Sequence, residues 1–329
     1  MADGPTWAGL EADLLGLPRY TAEQVAAQAG MNREHSRRLW RAMGFPDAPE
    51  DEPFFTELDL EILRSVNGLV TEGAVEVPEL LQLTRATGQA QARAAEAEAK
   101  AILERTHAAL GPGVEAEAVA DTAMAAARAV APDLERYVTY AWRRHFVAAM
   151  AREAGAEGVG AGAPVVVGFA DLVGFTAFSQ EAGEAELGQL VDHFEDLAYD
   201  LIAGRGGRVI KVIGDEVLFV LDDPVEAARL GLELAEAYSS DPQVPDVRVG
   251  LAYGSVLPRA GDVLGAPVNL ASRLVNIARP ATVLVSSELA ERLESEDDLE
   301  LRTLRPRRLK GIGRVPVIAL RRRHQGGSP

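Results

Sequence analysis

GGRVIKVIGDEVLFV, residues 206–220, consists of two apolar segments separated by Gly214-Asp215, a connection so short that the segments must fold back as an antiparallel hairpin. Upstream, the run VVVGFA ends in Asp171 and opens through Leu-Val-Gly-Phe-Thr into a helical pattern. Reading outward, the spacing predicts strand 164–170, helix 177–203, strands 207–213 and 215–221, helix 223–239 and strand 246–255. That order is βαββαβ, the ferredoxin-like split motif. Helix 266–279, strand 281–286, a short helix 287–293 and strands near 299–303, 306–310 and 315–321 follow. The end of the first strand then lies beside the hairpin, so Asp171 and Asp215 share one rim, where their hard oxygen atoms suit divalent cations. Gly174 to Thr176 form a strand-to-helix turn whose free amides suit phosphate oxygens.

Before this region the composition changes. Residues 1–152 are rich in Ala and Arg and read as helices, residues 153–163 as a Gly/Ala-rich linker, 164–323 as a second domain and 324–329 as a tail. The expected class is α+β, with an all-α domain leading. A length of 329 residues suits two domains, because single cores stop growing at roughly 250–300 residues. With no cysteine there is neither a disulfide nor a thiolate metal site. A net charge of −17 opposes non-specific attraction to nucleic acid and anionic membranes, no apolar run reaches the roughly 20 residues of a membrane span, and the default location is the cytoplasm. Of 33 basic residues only Lys100, Lys211 and Lys310 are lysines, so each asks for a reason. Lys100 follows Glu96 by four positions, a favourable ion pair on the helix spanning about 77–110.

In the first domain, Thr21–Gln24 is a capping-box pattern and Asn32 a second cap, giving helices 21–29 and 32–43 with helix-turn-helix dimensions. Arg33, Arg37, Arg38 and Arg41 make DNA contact a competing function, set against packing with a solvated arginine face beside the acidic run 47–52. Another helix, 133–152, carries Tyr137, Tyr140, Trp142, His145 and Phe146; this aromatic stripe is read as core before ligand pocket.

The second domain resembles the class III nucleotidyl cyclases, which convert a nucleoside triphosphate into a cyclic 3′,5′-monophosphate and pyrophosphate. FADLVGFT at 169–176 is similar to the first metal motif of that family, IKVIGDEVLF at 210–219 to the second, GDVLGAPVNLASR at 261–273 to the third and LKGI at 309–312 to the last. The resemblance implies two divalent cations, Mg2+ or Mn2+, held by Asp171, Asp215 and the Leu172 carbonyl. It implies that amides of Gly174, Phe175 and Thr176 serve the triphosphate, that Lys211 and Asp262 read the purine, and that Lys310 holds the polyphosphate. It implies further that Asn269 orients the ribose and that Arg273 stabilises charge on the α-phosphate. Lysine donates to adenine N1 and aspartate accepts from its amine, whereas guanine presents the reverse pattern, so ATP is the expected substrate and a guanylate cyclase the disfavoured one. Because family members build each site from two subunits, a homodimer is implied. Asn269 and Arg273, four apart, share one helix face. The first domain resembles an inhibitory, pH-responsive regulatory domain of bacterial cyclases; protons, through His35, His107 and His145, and a lipid-like ligand stay open as stimuli. The alternative from another class is a DNA-binding regulator that merely senses nucleotide.

Overall fold

A computed structural model describes residues 7–155, 164–259 and 261–323. The chain divides into two compact units, Met1–Glu153 and Ala154–Pro329. Most of the Gly/Ala-rich segment, 156–163, and the tail lie outside the described residues.

The first unit is helical: α1 (Trp7–Leu15), α2 (Ala22–Gln28), α3 (Arg33–Met43), α4 (Glu57–Thr71), α5 (Val77–Leu110) and α6 (Ala116–Gly155). Thr21 caps α2 through a reciprocal box with Gln24, and Asn32 Oδ1 accepts from the His35 amide at 2.7 Å to start α3. Thr56 and Asp59 repeat the box at α4. Val25, Leu39, Phe55, Leu60, Leu63, Leu80 and Leu81 form the core, against which Trp40 packs with its ring 4.5–5.8 Å from those of Phe45, Phe54 and Phe55.

Three expectations need correction in this unit. Lys100 pairs with Glu104 at 3.6 Å, not with Glu96; the partner follows the lysine along α5. Helix 133–152 is the second half of α6, which runs 40 residues through Pro132. A proline inside a helix removes one hydrogen bond and crowds the preceding turn, yet α6 runs on through it. The aromatic stripe is not core either: Tyr137 and Trp142 keep 66% and 58% of their surface exposed, and Trp142 stacks on Phe146 at 5.3 Å.

The second unit comprises β1 (Pro164–Leu172), α7 (Phe175–Glu181), α8 (Glu184–Gly204), β2 (Arg208–Ile213), β3 (Glu216–Leu221), α9 (Pro224–Ser240) and β4 (Val247–Ser255). It continues with β5 (Leu257–Arg259), β6 (Asp262–Leu264), α10 (Ala266–Ile277), β7 (Val283–Val285), α11 (Ser287–Leu293), β8 (Leu299–Leu309) and β9 (Gly313–Arg322). Seven strands form one sheet in the order β2-β3-β1-β4-β7-β9-β8, and β5-β6 form a separate hairpin. The first four strands are those of the ferredoxin-like motif. The expected single helix 177–203 is two, because Ala182 and Gly183 take extended backbone between α7 and α8. The two expected strands 299–303 and 306–310 are one, since β8 is an edge strand and tolerates Pro306 where its register shifts between Leu304 and Arg307. The hairpin β5-β6, three residues per strand, carries too little pattern to be expected.

Strand alternation sorts β1 into two faces. Val166, Ala170 and Leu172 pack with Phe194 and Ile202 of α8 and Leu230 and Leu234 of α9. Val165, Val167 and Phe169 point the other way, into a cluster with Leu218, Ala252, Ala271 and Val275 under α10. Asp171 follows the second series by period two and therefore lies on the α10 face. α10 can lie so close only because β4 has glycine there: a Cβ on Gly250 would come 2.5 Å from the Ala271 carbonyl oxygen and the Val275 nitrogen.

Candidate active site

Three ladders bring charged groups to the α10 face. Asp171 is paired in register with Glu216 of β3 on one side and with Arg248 of β4 on the other. Gly214, at φ +64°, makes the β2-β3 turn, and the Leu172 amide donates to the Asp215 carbonyl at 3.0 Å. The turn is thereby fastened to the end of β1, and Asp215 stands beside Asp171 as the hairpin reading requires.

Asp171 is buried. Arg248 Nε donates to its Oδ2 at 2.5 Å, and a second guanidinium nitrogen reaches the Asn276 carbonyl at 3.5 Å. Burial pushes the Asp171 carboxyl up, the Arg248 hydrogen bond and charge pull it back, and Asp215 adds a smaller upward push, with a net rise. Glu216 is pushed up to about 7, by burial first and then by the negative charges of Asp171 and Asp215, with Arg248 opposing. Neither Arg248 nor Glu216 is anticipated from the sequence. The one available signal was a charged residue inside the otherwise apolar VRVGLA; its partner becomes visible only when β4 is set antiparallel to β1.

Lys211 and Asp262 also meet. Lys211 pairs with Leu218 across the β2-β3 ladder, which places it on the α10 face, and its Nζ donates to Asp262 Oδ2 at 2.5 Å. Asp262 is further held by the Val263 amide at 2.8 Å. Burial pushes the Asp262 carboxyl up, but the Lys211 hydrogen bond, the Val263 amide and the Lys211 charge outweigh it and hold it below the usual carboxylate range.

Asn269 and Arg273 lie on α10, as expected, and are exposed. At 100° per residue they fall opposite Pro267, Ala271, Leu274 and Val275, the buried positions of that helix. They project away from their own sheet, and neither side chain has a partner among the described residues. Gly174 takes φ +80° as the N-cap of α7, and the Phe175 and Thr176 amides fall in the first turn, where intrahelical acceptors do not exist. The Phe175 ring packs on the core, so only its main chain is available. Lys310 sits at the head of the β8-β9 turn and is exposed; the expected strand stops one residue short of it. The structure thus joins Asp171 with Asp215, and Lys211 with Asp262, and leaves Asn269, Arg273 and Lys310 facing outward.

Hard oxygen donors make the rim chemically suitable for a divalent cation. Among the described residues no group of three or more acidic or histidine side chains is arranged to hold a metal, so such a site would rest on Asp171 and Asp215 with main-chain help at Leu172.

In the first unit, Arg33 pairs with Glu50 at 3.1 Å, Arg37 with Glu34 at 2.5 Å and Arg41 with Asp47 at 2.5 Å. Three of the four arginines that a DNA-binding helix would present are therefore occupied by carboxylates, two of them from the acidic run. No helix among the described residues is long and apolar enough to cross a membrane.

The adenylate and guanylate cyclase catalytic domain family matches residues 161–321. An adenylate cyclase of Streptomyces coelicolor is 41% identical over 294 residues, 88% of this chain and 76% of that protein. A pH-sensitive adenylate cyclase of Mycobacterium tuberculosis is 32% identical over 314 residues, 92% of this chain and 78% of its own length. Among solved structures, the adenylyl cyclase CyaB of P. aeruginosa is similar with 20% identity and a TM-score of 0.44, covering 50% of this chain and 97% of that one. Identity at the level of the Streptomyces protein, carried from the helical unit through the sheet, marks common descent, and the chain belongs to the class III nucleotidyl cyclase family, with bacterial adenylate cyclases as relatives over most of its length.

Proposed function

We propose that the protein is a homodimeric adenylate cyclase that converts ATP into 3′,5′-cyclic AMP and pyrophosphate. The observation that carries the substrate choice is the Lys211–Asp262 pair, 51 residues apart in the chain and 2.5 Å apart in space. A cation that donates beside a carboxylate that accepts matches the N1 and exocyclic amine of adenine and opposes guanine. Without nucleotide the two satisfy each other; with it, they turn to the base edge.

Asp171, Asp215 and the Leu172 carbonyl would hold the divalent cations, Mg2+ or Mn2+. When bound, the cations supply Lewis-acid stabilisation of the ribose 3′-oxygen and of the pyrophosphate leaving group. Arg248 fixes the orientation of the Asp171 carboxylate and offsets the desolvation of its charge. The 3′-oxygen forms a bond to the α-phosphorus, the bond from that phosphorus to the bridging oxygen breaks, and the hydroxyl proton leaves to solvent; no protein nucleophile takes part. Arg273 stabilises charge on the α-phosphate, Asn269 orients the ribose and the Gly174–Thr176 amides and Lys310 receive the phosphates. The outward projection of Asn269 and Arg273 supports their service to the site of a second copy.

Lys211→Arg should lower kcat/KM for ATP by about 10- to 100-fold, the loss expected when a charged hydrogen bond is misplaced, because a planar fork does not fit where a compact ammonium does. Lys100→Arg should stay within about twofold, since Lys100 only pairs with an exposed Glu104. Cyclic AMP production from ATP with Mg2+ or Mn2+ reads both. Equal losses, or a preference for GTP in the unaltered protein, would defeat the adenine assignment.

The helical unit is proposed to regulate the cyclase. An apolar cavity of about 510 Å3 lies within it, lined by Leu10, Leu14, Ala99, Ile102, Ala127 and Leu134 among others, and supports a lipid-like effector. Protons are the second candidate, and an ordinary histidine titrates near pH 6.5. Removing residues 1–152 should change specific activity, by a ratio that varies between about pH 5 and 8 if protons act. A ratio of one at every pH, with and without added fatty acid, would dismiss regulation by this unit.

A further inference from the structure

The apolar cavity of the helical unit, about 510 Å3, has charged groups of one sign only in its lining. Glu98 of α5 and Glu135 of α6 both face it, and no lysine, arginine or histidine does. Neither carboxylate has an ion-pair partner among the described residues. The basic residues nearest them in sequence are engaged elsewhere, Lys100 with Glu104 and Arg136 with Asp133. Arg128, beside the lining residue Ala127, is bonded to Asp13 at 2.5 Å. The third wall is α1, nine residues long, none of them buried. Trp7, Leu10 and Leu14, spaced i, i+3 and i+7, turn one apolar face to the cavity, yet Trp7 keeps 60% of its surface exposed. A helix this short is not held by its own hydrogen bonds; its apolar face needs something to pack against.

We infer that this cavity takes a single-chain amphiphile with an ammonium head, its alkyl chain packed against α1, α5 and α6 and its head held by Glu98 and Glu135. The stretch of α5 that lines the cavity, Gln91 to Leu103, is about 18 Å long at 1.5 Å per residue, which accommodates an extended alkyl chain. Such a chain supplies the burial that the apolar face of α1 lacks. The head is decided by charge: two carboxylates attract an ammonium group and repel the carboxylate of a fatty acid carrying the same tail. The inference gives a chemical class to the effector proposed above, and it rests on that regulatory reading for the consequence of binding, not for the site itself.

Decylamine, 1-decanol and decanoate share one tail and differ in the head. Each is titrated into the full chain at submicellar concentration, with tryptophan fluorescence and calorimetry as readouts. Decylamine should bind about tenfold tighter than decanoate, with decanol between them, as for two partly exposed charge contacts that change sign with the head. The double variant Glu98→Gln/Glu135→Gln should bring all three within about threefold of one another, while the decanol affinity and the melting temperature hold. Trp7→Phe should remove most of the fluorescence change and keep the heat. Ala127→Leu, which fills the cavity, should weaken all three tails alike by about tenfold or more. A chain of net charge −17 attracts any cation, so decylamine binding that ignores the double variant would be non-specific and would overturn the inference. Decanoate bound as tightly as decylamine, or none of the three bound, would overturn it as well. So would an Ala127→Leu variant that loses self-association in sedimentation and keeps its amphiphile affinity, which would give the cavity to a second copy. Decylamine bound with the expected preference but without effect on cyclic AMP synthesis leaves the site in place and removes the regulatory reading. An equal response of the cyclase to decylamine and decanoate does the reverse.

Discussion

Asp215→Ala should remove cyclic AMP synthesis by roughly a thousandfold or more, the scale of losing a metal carboxylate together with the charge stabilisation it supports, and should leave the fold intact. The second half of this expectation is the informative one. Asp215 sits in the tight β2-β3 turn, half-buried, and its structural bond is made by its backbone: the carbonyl accepts from the Leu172 amide at 3.0 Å. Alanine keeps that bond. The Asp215 carboxylate also acts against its surroundings, since its charge helps push up the carboxyls of both Asp171 and Glu216. Removing it relieves that repulsion, so the melting temperature should hold or rise slightly. Asp171→Ala is a poorer test, because it strands Arg248, whose guanidinium is bonded at 2.5 Å to the carboxylate that would be lost, and an unpaired charge at a part-buried site is costly. A variant at 215 that keeps both its melting temperature and more than a tenth of its activity would refute a metal-binding role for this residue.

The contrast between these aspartates shows what a sequence conveys and what it withholds. The hairpin at 213–216 is legible because a two-residue loop around Gly214 admits few backbone solutions, and the βαββαβ order follows from the periods of its elements. That order already puts Asp171 beside Asp215. Lys211 and Asp262 are another matter. Lys211 is an isolated charge inside β2 and Asp262 one at the start of the short β6, and only resemblance to a family linked them before the structure set them 2.5 Å apart. Arg248 and Glu216 stay hidden, because pairing across β1, β3 and β4 is a register fact, and register is decided by packing of whole strand faces, not by neighbours in sequence. The errors have the same origin. The helix expected at 133–152 is part of the longer α6, which runs through Pro132, and the strands expected at 299–303 and 306–310 are one, since an edge strand does not need the donor that Pro306 lacks. The aromatics of α6 read as core because core is where such residues usually go, and the structure leaves them on the surface.

Mixing two inactive variants should restore activity. In the proposed dimer one nucleotide lies between Asp171 and Asp215 of one copy and Lys211, Asp262, Asn269 and Arg273 of the other. The geometry of α10 supports this division: Asn269 and Arg273 fall on the helix side opposite the buried Ala271, Leu274 and Val275, so they turn from their own sheet with no side-chain partner in it. Asp215→Ala and Arg273→Ala homodimers should each be inactive, for opposite reasons. After subunit exchange at equal concentrations half of the dimers are mixed, and each mixed dimer has one site with both defects and one with neither. Activity should therefore return to about a quarter of the unaltered level, and should fall on dilution below the dimer dissociation constant. The control is a mixture of Asp171→Asn with Asp215→Ala. Both lesions fall in the same half-site, every arrangement leaves each site defective, and no activity should return. Recovery in that control, or none in the first mixture when exchange is verified by labelled subunits, would mean that each copy carries a complete site of its own.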